Sequence, residues 1–186
     1  GRTLVAAPLL GSAVGAATAL KLAGNDAQKS EWLPKIADGS AIGALAIDET
    51  SRYAPENIGF QALADDGGFS LTGTKRLVHE GMAADLLIVV ARTSGAASDS
   101  NGITLFAVPA DNAGITRERR HLVDHRGYAD VTFENVHVGA DAVLGEVGGG
   151  RATLDRVLDC TTAMAAAEAL GVAIQAFETT LDYLKD

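Results

Sequence analysis

Cysteine occurs once in the 186 residues, at Cys160. One thiol excludes an intrachain disulfide framework and any cysteine-based zinc site, and it fits a reducing, cytoplasmic setting. Basic residues are also few. Fifteen Lys and Arg stand against 24 Asp and Glu, a formal net charge of −9. Duplex nucleic acid needs a basic surface that releases counterions, so no nucleic-acid partner is expected. No glycine loop of Walker or dinucleotide type is present. Gly148-Gly149-Gly150 precedes a helical stretch whose backbone N–H groups can face an anion, but no strand leads into it and it reads as a linker. No Ser-His-Asp or Cys-His arrangement is specified by spacing. Thr3 to Leu20 carries no formal charge, yet it is mostly Ala, Gly, Ser and Thr. Small residues give little transfer energy, so the stretch reads as a packed helix, and no membrane span is expected. Position 1 is Gly rather than Met, which reads as a processed chain or a piece of a longer one.

What is present divides into three zones. The hydrophobic share of 47% and charged share of 21% are ordinary for a folded protein and exclude global disorder. Residues 1–39 are helical in pattern. Leu4, Leu9, Leu10, Val14, Ala17 and Leu22 can gather on one side of a helix. Asn25 or Asp26 caps a second helix, about Ala27 to Ile36, with Trp32, Leu33 and Ile36 on one side and Pro34 expected to break or reshape it near its end.

Residues 40–147 change texture. Strands are expected near Gly43–Ile47, Ile58–Ala64, Phe69–Thr72, Arg76–His79, Leu86–Ala91, Thr104–Val108, Asp130–Phe133 and Val136–Val138. Asp65-Asp66-Gly67-Gly68 is the clearest hairpin turn. The apolar phase flips between Val131/Phe133 and Val136/Val138, so one extra residue is expected around Asn135. Short strands without intervening helices predict an α+β protein. Its centre is an antiparallel β sandwich or barrel flanked by helices. Period-two alternation places Leu71, Leu87, Val89, Leu105, Ala107, Val131 and Phe133 in its core.

Residues 148–186 return to helical spacing through Leu154, Val157, Leu158, Met164, Gly171, Ile174, Phe177, Leu181 and Leu184. At 1.5 Å per residue this helix is about 50 Å long. The chain holds too few helices to cover that stripe, so other helices or other chains are expected against it. Cys160 lies on this helix and reads as a packing residue. His121 and His125 are four apart, but they sit among Arg117, Arg119, Arg120 and Arg126. Positive charge opposes a cation there, and a solvated polar face or phosphate contact is the better reading.

The order of segments says more. Trp32 to Gly39, Ala44 to Glu49, Leu71-Thr72-Gly73-Thr74-Lys75, Ala84-Asp85 and Leu87 to Arg92 follow one another. So do Gly102 to Val108, Val131 to Val138, Val143-Leu144-Gly145 and Ala166 to Gly171. This succession resembles the acyl-CoA dehydrogenase family over essentially the whole chain. The resemblance implies an N-terminal helical domain ending at residue 39, a middle β domain at 40–147 and the first long helix of a C-terminal helical domain at 148–186. It implies FAD held between the last two, an acyl-CoA substrate, an electron-transfer acceptor protein, and a homo- or hetero-oligomeric dimer or tetramer. A carboxylate base removes the acyl α-proton in such enzymes while the flavin takes the β-hydride.

By the same resemblance Ile47, Asp48, Glu49 and His79 are the cofactor-binding candidates and Ala54 the substrate-binding one. Departures are visible there. Asp48 stands where the family has Thr, and Ala54 where it has Ser. His79 ends a Leu77-Val78-His79 run where the family has Trp-x-Thr. His79 is either a replacement hydrogen-bond donor to the flavin or a core or surface histidine. Thr161 occupies the position of the base in some members and cannot serve, so the base is expected beyond Asp186. Two readings follow. One is an FAD-dependent acyl-CoA dehydrogenase whose 186-residue piece neither retains FAD nor turns over substrate alone. The other is a degenerate member acting as a structural partner subunit of a hetero-oligomer.

Overall fold

The computed structural model describes residues 1–3, 5–124 and 126–185. A wide helical segment, Leu9–Ala16, opens the ordered elements. In it the Ala13 amide reaches the Pro8 carbonyl five residues back, at 3.3 Å. It runs directly into α1, Ala17–Ala23. Leu9 and Leu22, expected on the buried side, are each 51% exposed, while Gly11, Ser12, Gly15, Ala16, Ala19 and Leu20 are buried. Close approach to the sheet selects the small residues. A Cβ at Gly43 would fall 2.4 Å from that of Ala16, and Ser12 Oγ accepts the Gly43 amide at 2.9 Å. Leu4 lies outside the described residues.

α2 spans Asp26–Asp38. Asn25 Oδ1 accepts the Gln28 amide at 2.9 Å and Gln28 Oε1 accepts the Asn25 amide at 2.8 Å, a reciprocal cap. The helix continues through Pro34 to Gly39, whose φ of 80° ends it. Pro34 therefore does not break it. The lost hydrogen bond is offset by the two caps and by Trp32, Leu33 and Ile36, which pack on the core side by side as expected.

Eight strands follow: β1 Gly43–Ala46, β2 Gln61–Asp65, β3 Gly68–Val78, β4 Leu86–Arg92, β5 Ile103–Pro109, β6 Ile115–Arg119, β7 Ala129–Gly139 and β8 Val143–Leu144. They form one sheet in the order β6-β7-β3-β2-β4-β5-β8, with β1 also against β4. β3 and β7 are each continuous where two short strands were expected. Most pairs are antiparallel, but β4 runs parallel to β1 and touches β2 in parallel at Gln61 and Arg92. The β2–β3 hairpin lies between β1 and β4 in the chain, which brings β4 back in the direction of β1. Asn135 sits at φ 50°, and between the Leu71–Val136 and Gly73–Phe133 pairs β7 sets two residues, Glu134 and Asn135, against Thr72 of β3, which is the anticipated bulge. A second irregularity falls in β3, where Leu77 has φ 49°. Asp130 supports it by accepting the Leu77 amide at 3.0 Å.

The sheet closes over itself. Phe69 of β3 meets Phe106 of β5 edge to face at 5.2 Å, and Phe60 meets Phe133 at the same distance. All seven anticipated core residues are buried, but β4 shows no alternation, because both of its faces are covered. Leu87 and Val89 point into the interior of the folded sheet. Leu86, Ile88 and Val90 face the helices. The loop after β4 is pinned by Arg92, which is buried and donates to the carbonyls of Ile58, Ala97, Asp99 and Asn101 at 2.6–3.1 Å.

α3 spans Arg151–Lys185, 35 residues in one helix. Leu154 and Val157 anchor it to the core, while Leu170, Ile174, Phe177, Leu181 and Leu184 are exposed. Cys160 is exposed as well, not packed, because it lies on the side of α3 away from the sheet. By length and composition alone a stretch of α3 is apolar enough to cross a bilayer.

Candidate functional site

The site is built where β1 ends and where β3 ends. The Ile47-Asp48-Glu49 segment leaves β1 and lies beside the end of β3, tied by the Arg76 amide donating to the Asp48 carbonyl at 2.7 Å. Lys75 of β3 is the central tie. Its side chain has no solvent exposure, and its Nζ donates to the Ile47 carbonyl at 2.9 Å and to Glu49 Oε1 at 2.8 Å. It also sits 4.8 Å above the Phe60 ring. Glu49 in turn accepts the Gly59 and Phe60 amides at 2.9 and 3.0 Å. Burial lowers the Lys75 ammonium to about 8, against the opposing pull of Glu49 and Asp48.

The anticipated residues therefore separate by role. Ile47 is buried against the helical side of the core, and its carbonyl is committed to Lys75. Glu49 has its carboxylate committed inward, so it holds the segment in place. Asp48 is different. Burial raises its carboxyl above the usual range, with the Ala54 amide and Lys75 opposing and Glu49 assisting. Ala54 thus lies beside Asp48 through its backbone, and its side chain offers no polar group.

At the other segment, His79 Nδ1 stands 2.9 Å from Glu80 Oε2, without hydrogen-bond alignment. His79 Nε2 is 3.4 Å from Arg126 Nη1, and the imidazole packs on Tyr128 at 4.9 Å. Arg126 is paired with Glu168 of α3, which joins the β domain to the long helix. Next to this pair lies a cavity of about 280 Å³ bounded by Val5, Leu9, Leu10, Met164 and Ala167. Thr161 donates its hydroxyl to Leu158 of its own helix.

Three buried side-chain polar atoms lack a hydrogen-bond partner among the described residues: Asp48 Oδ1, His79 Nδ1 and Glu80 Oε2. All three fall on these two adjoining segments. Two of them, His79 Nδ1 and Glu80 Oε2, face each other at 2.9 Å, with Gly11 packed against Glu80 Oε2. Asp48 Oδ1 is the one left to take a hydrogen bond from or give one to a bound polar group. Among the described residues no group of His, Cys, Asp and Glu is placed to hold a metal ion. His121 is exposed, and His125 lies outside the described residues.

Sequence reasoning missed Arg126, Tyr128 and the pairing of Glu168, which only the fold brings together. The Gly73-x-Lys75 motif was visible, but the depth of Lys75 was not.

Residues 48–136 match the family model described as acyl-CoA dehydrogenase, middle domain. The short-chain-specific acyl-CoA dehydrogenase of Megasphaera elsdenii is 32% identical over 168 residues, 87% of this chain and 43% of that protein. An acyl-CoA dehydrogenase from Geobacillus kaustophilus superposes with a TM-score of 0.84 at 30% identity, over 90% of this chain and 46% of the other. A glutaryl-CoA dehydrogenase from Mycobacterium smegmatis, solved in complex with FADH2, gives a TM-score of 0.81 at 28% identity, over 98% and 45%. The chain belongs to the acyl-CoA dehydrogenase family. It spans less than half the length of the relatives it matches.

Proposed function

We propose that these residues form the β-domain half of the site of an FAD-dependent acyl-CoA dehydrogenase, which removes hydrogen from the α and β carbons of an acyl-CoA thioester. The observation that carries this reading is Asp48 Oδ1, buried without a partner on the segment that Lys75 and Glu49 hold beside the end of β3. FAD, when bound, supplies the acceptor for the substrate β-hydride. Lys75 and Glu49 hold the Ile47–Glu49 backbone in position, Asp48 and His79 present polar atoms to the cofactor, and the cavity beside Arg126 and Glu168 takes apolar substrate atoms out of water. Thr161 is no base, so the acceptor of the α-proton comes from outside these residues. An electron-transfer protein reoxidises the cofactor, in a cytoplasmic setting.

The exposed stripe of α3 is covered in the working protein by further helices or by a second subunit. With that half of the site missing, FAD binds the 186-residue chain weakly. Titration followed by flavin fluorescence tests this. Saturable one-to-one binding in the micromolar range, lost on desalting, is the expected result. No binding at millimolar protein would overturn the FAD reading.

A further inference from the structure

We propose that flavin binding at this site takes up one proton at Asp48, whose carboxyl group meets the ligand as a neutral acid donating its O–H. This rests on the FAD reading above.

The argument begins from Asp48 Oδ1, which is buried and without a partner. A carboxylate with one bare buried oxygen is the costly form of that group, and a ligand laid over it removes what water remains. The charges that face it nearly cancel. From β3 comes the Lys75 ammonium, but it is already bound to Glu49 at 2.8 Å, and Glu49 is the next residue in the chain. The Arg76 guanidinium is turned away to Asp130 at 2.8 Å. Tyr53 and the Ala54 amide approach from the following loop, and Tyr53 carries no charge at neutral pH. His79 and Glu80, at the end of β3, are the other titratable groups of the site. Desolvation therefore dominates at Asp48, in keeping with the upward direction of its proton affinity.

The ligand's chemistry points the same way. The pyrimidine side of an oxidised isoalloxazine carries one donor, N3–H, between two carbonyl oxygens, while those oxygens and the unprotonated N1 and N5 are acceptors. A carboxylate would set lone pairs against them, whereas the acid supplies a hydrogen. The proton comes from solvent, because the oxidised ring does not change charge between pH 5.5 and 8.5.

The test is calorimetric titration of the protein with FAD from pH 5.5 to 8.5, in buffers of unequal ionisation enthalpy. Affinity is expected to fall with rising pH, approaching tenfold per unit above the free pKa of Asp48. The heats are expected to report uptake approaching one proton per FAD. Asp48→Asn, neutral throughout, should abolish both effects while keeping the acid-side affinity within about threefold. His79→Gln should retain them. FAD binding with no pH slope and no proton uptake would overturn the proposal and leave the FAD reading intact. So would a slope that survives Asp48→Asn and vanishes in His79→Gln. The side-chain carboxyl carbon of Asp48, followed by NMR in the ligand-free protein, gives an independent readout. It should titrate above the ordinary aspartate range, and titration within or below that range overturns the proposal whether or not FAD binds. Failure to bind FAD at every pH, with Asp48 titrating high, overturns the FAD reading and the coupling with it.

Discussion

Lys75 and Glu49 form an ion pair, 2.8 Å between Nζ and Oε1, whose two ends are unequally supported. The glutamate keeps two backbone amides, from Gly59 and Phe60, if the lysine is removed. The lysine keeps one hydrogen bond, to the Ile47 carbonyl, and the Phe60 ring if the glutamate is removed. Breaking a buried pair costs about 3–5 kcal/mol when a charge is left without compensation. Glu49→Ala should therefore destabilise by roughly that amount, and Lys75→Met by under about 2 kcal/mol, since the remaining carboxylate stays hydrogen-bonded. Urea denaturation of both variants decides it, and the reverse order would contradict the assignment.

The same lysine gives stability a pH dependence of definite sign. Its ammonium lies at about 8 in the folded protein against 10.5 for the ordinary group. Below pH 8 both states hold the proton and the contribution is flat. Between 8 and 10.5 the unfolded chain holds more protons, so unfolding becomes harder as pH rises. The full gain is on the order of 3 kcal/mol. Comparing the native chain with Lys75→Met over that window isolates the effect, which should be absent from the variant.

Two neighbouring glycines separate space from backbone conformation. At Gly68 a Cβ would fall 2.1 Å from the Val138 carbonyl of the paired strand, with no room to give. Gly68→Ala should cost about 2–3 kcal/mol, near the top of the range for overpacking. Gly67 has open space around it but φ 81°, so Gly67→Ala should cost only about 1–2 kcal/mol. Thermal melts of the two variants should rank in that order.

These contrasts bear on what a sequence can disclose. The Asp65–Gly68 turn, the Asn135 bulge and the Trp32-Leu33-Ile36 face were legible because each depends on residues close in the chain. The parallel entry of β4 was not, since local alternation is silent about strand direction. The burial of both β4 faces is written in the unbroken apolar run Leu86 to Ala91, but period-two alternation assigns only Leu87 and Val89 to the core. Leu9 and Leu22 misled because their size suggested a core face, while the approach to Gly43 required the small residues instead. At the site, residues 47–49 and 79 could be named through family resemblance. That Glu49 is a brace and Asp48 an open carboxyl depends on Lys75, twenty-six positions beyond Glu49.

Phe177 and Leu181 lie on the outer part of α3, away from both core clusters. Replacing both with Lys should leave the unfolding free energy of this chain within about 0.5 kcal/mol, as for other surface changes. Binding of a hydrophobic dye, by contrast, should fall several-fold. A large loss of stability would show that the stripe is already covered within the chain.

The pairing of β3 with β7 also sets a schedule for biosynthesis. Val78 ends one partner and Ala129 begins the other, about fifty residues later. At roughly 5–20 residues per second the ribosome takes several seconds to deliver the second strand. Sheets of this non-local kind fold in about milliseconds to seconds once complete. The nascent chain therefore waits for β7, with the hydrogen-bonding edge of β3 open and Leu71 without its cover. The Asp65-Asp66 pair and Arg76 at the two ends of that strand place charge where another chain would otherwise add itself to the edge.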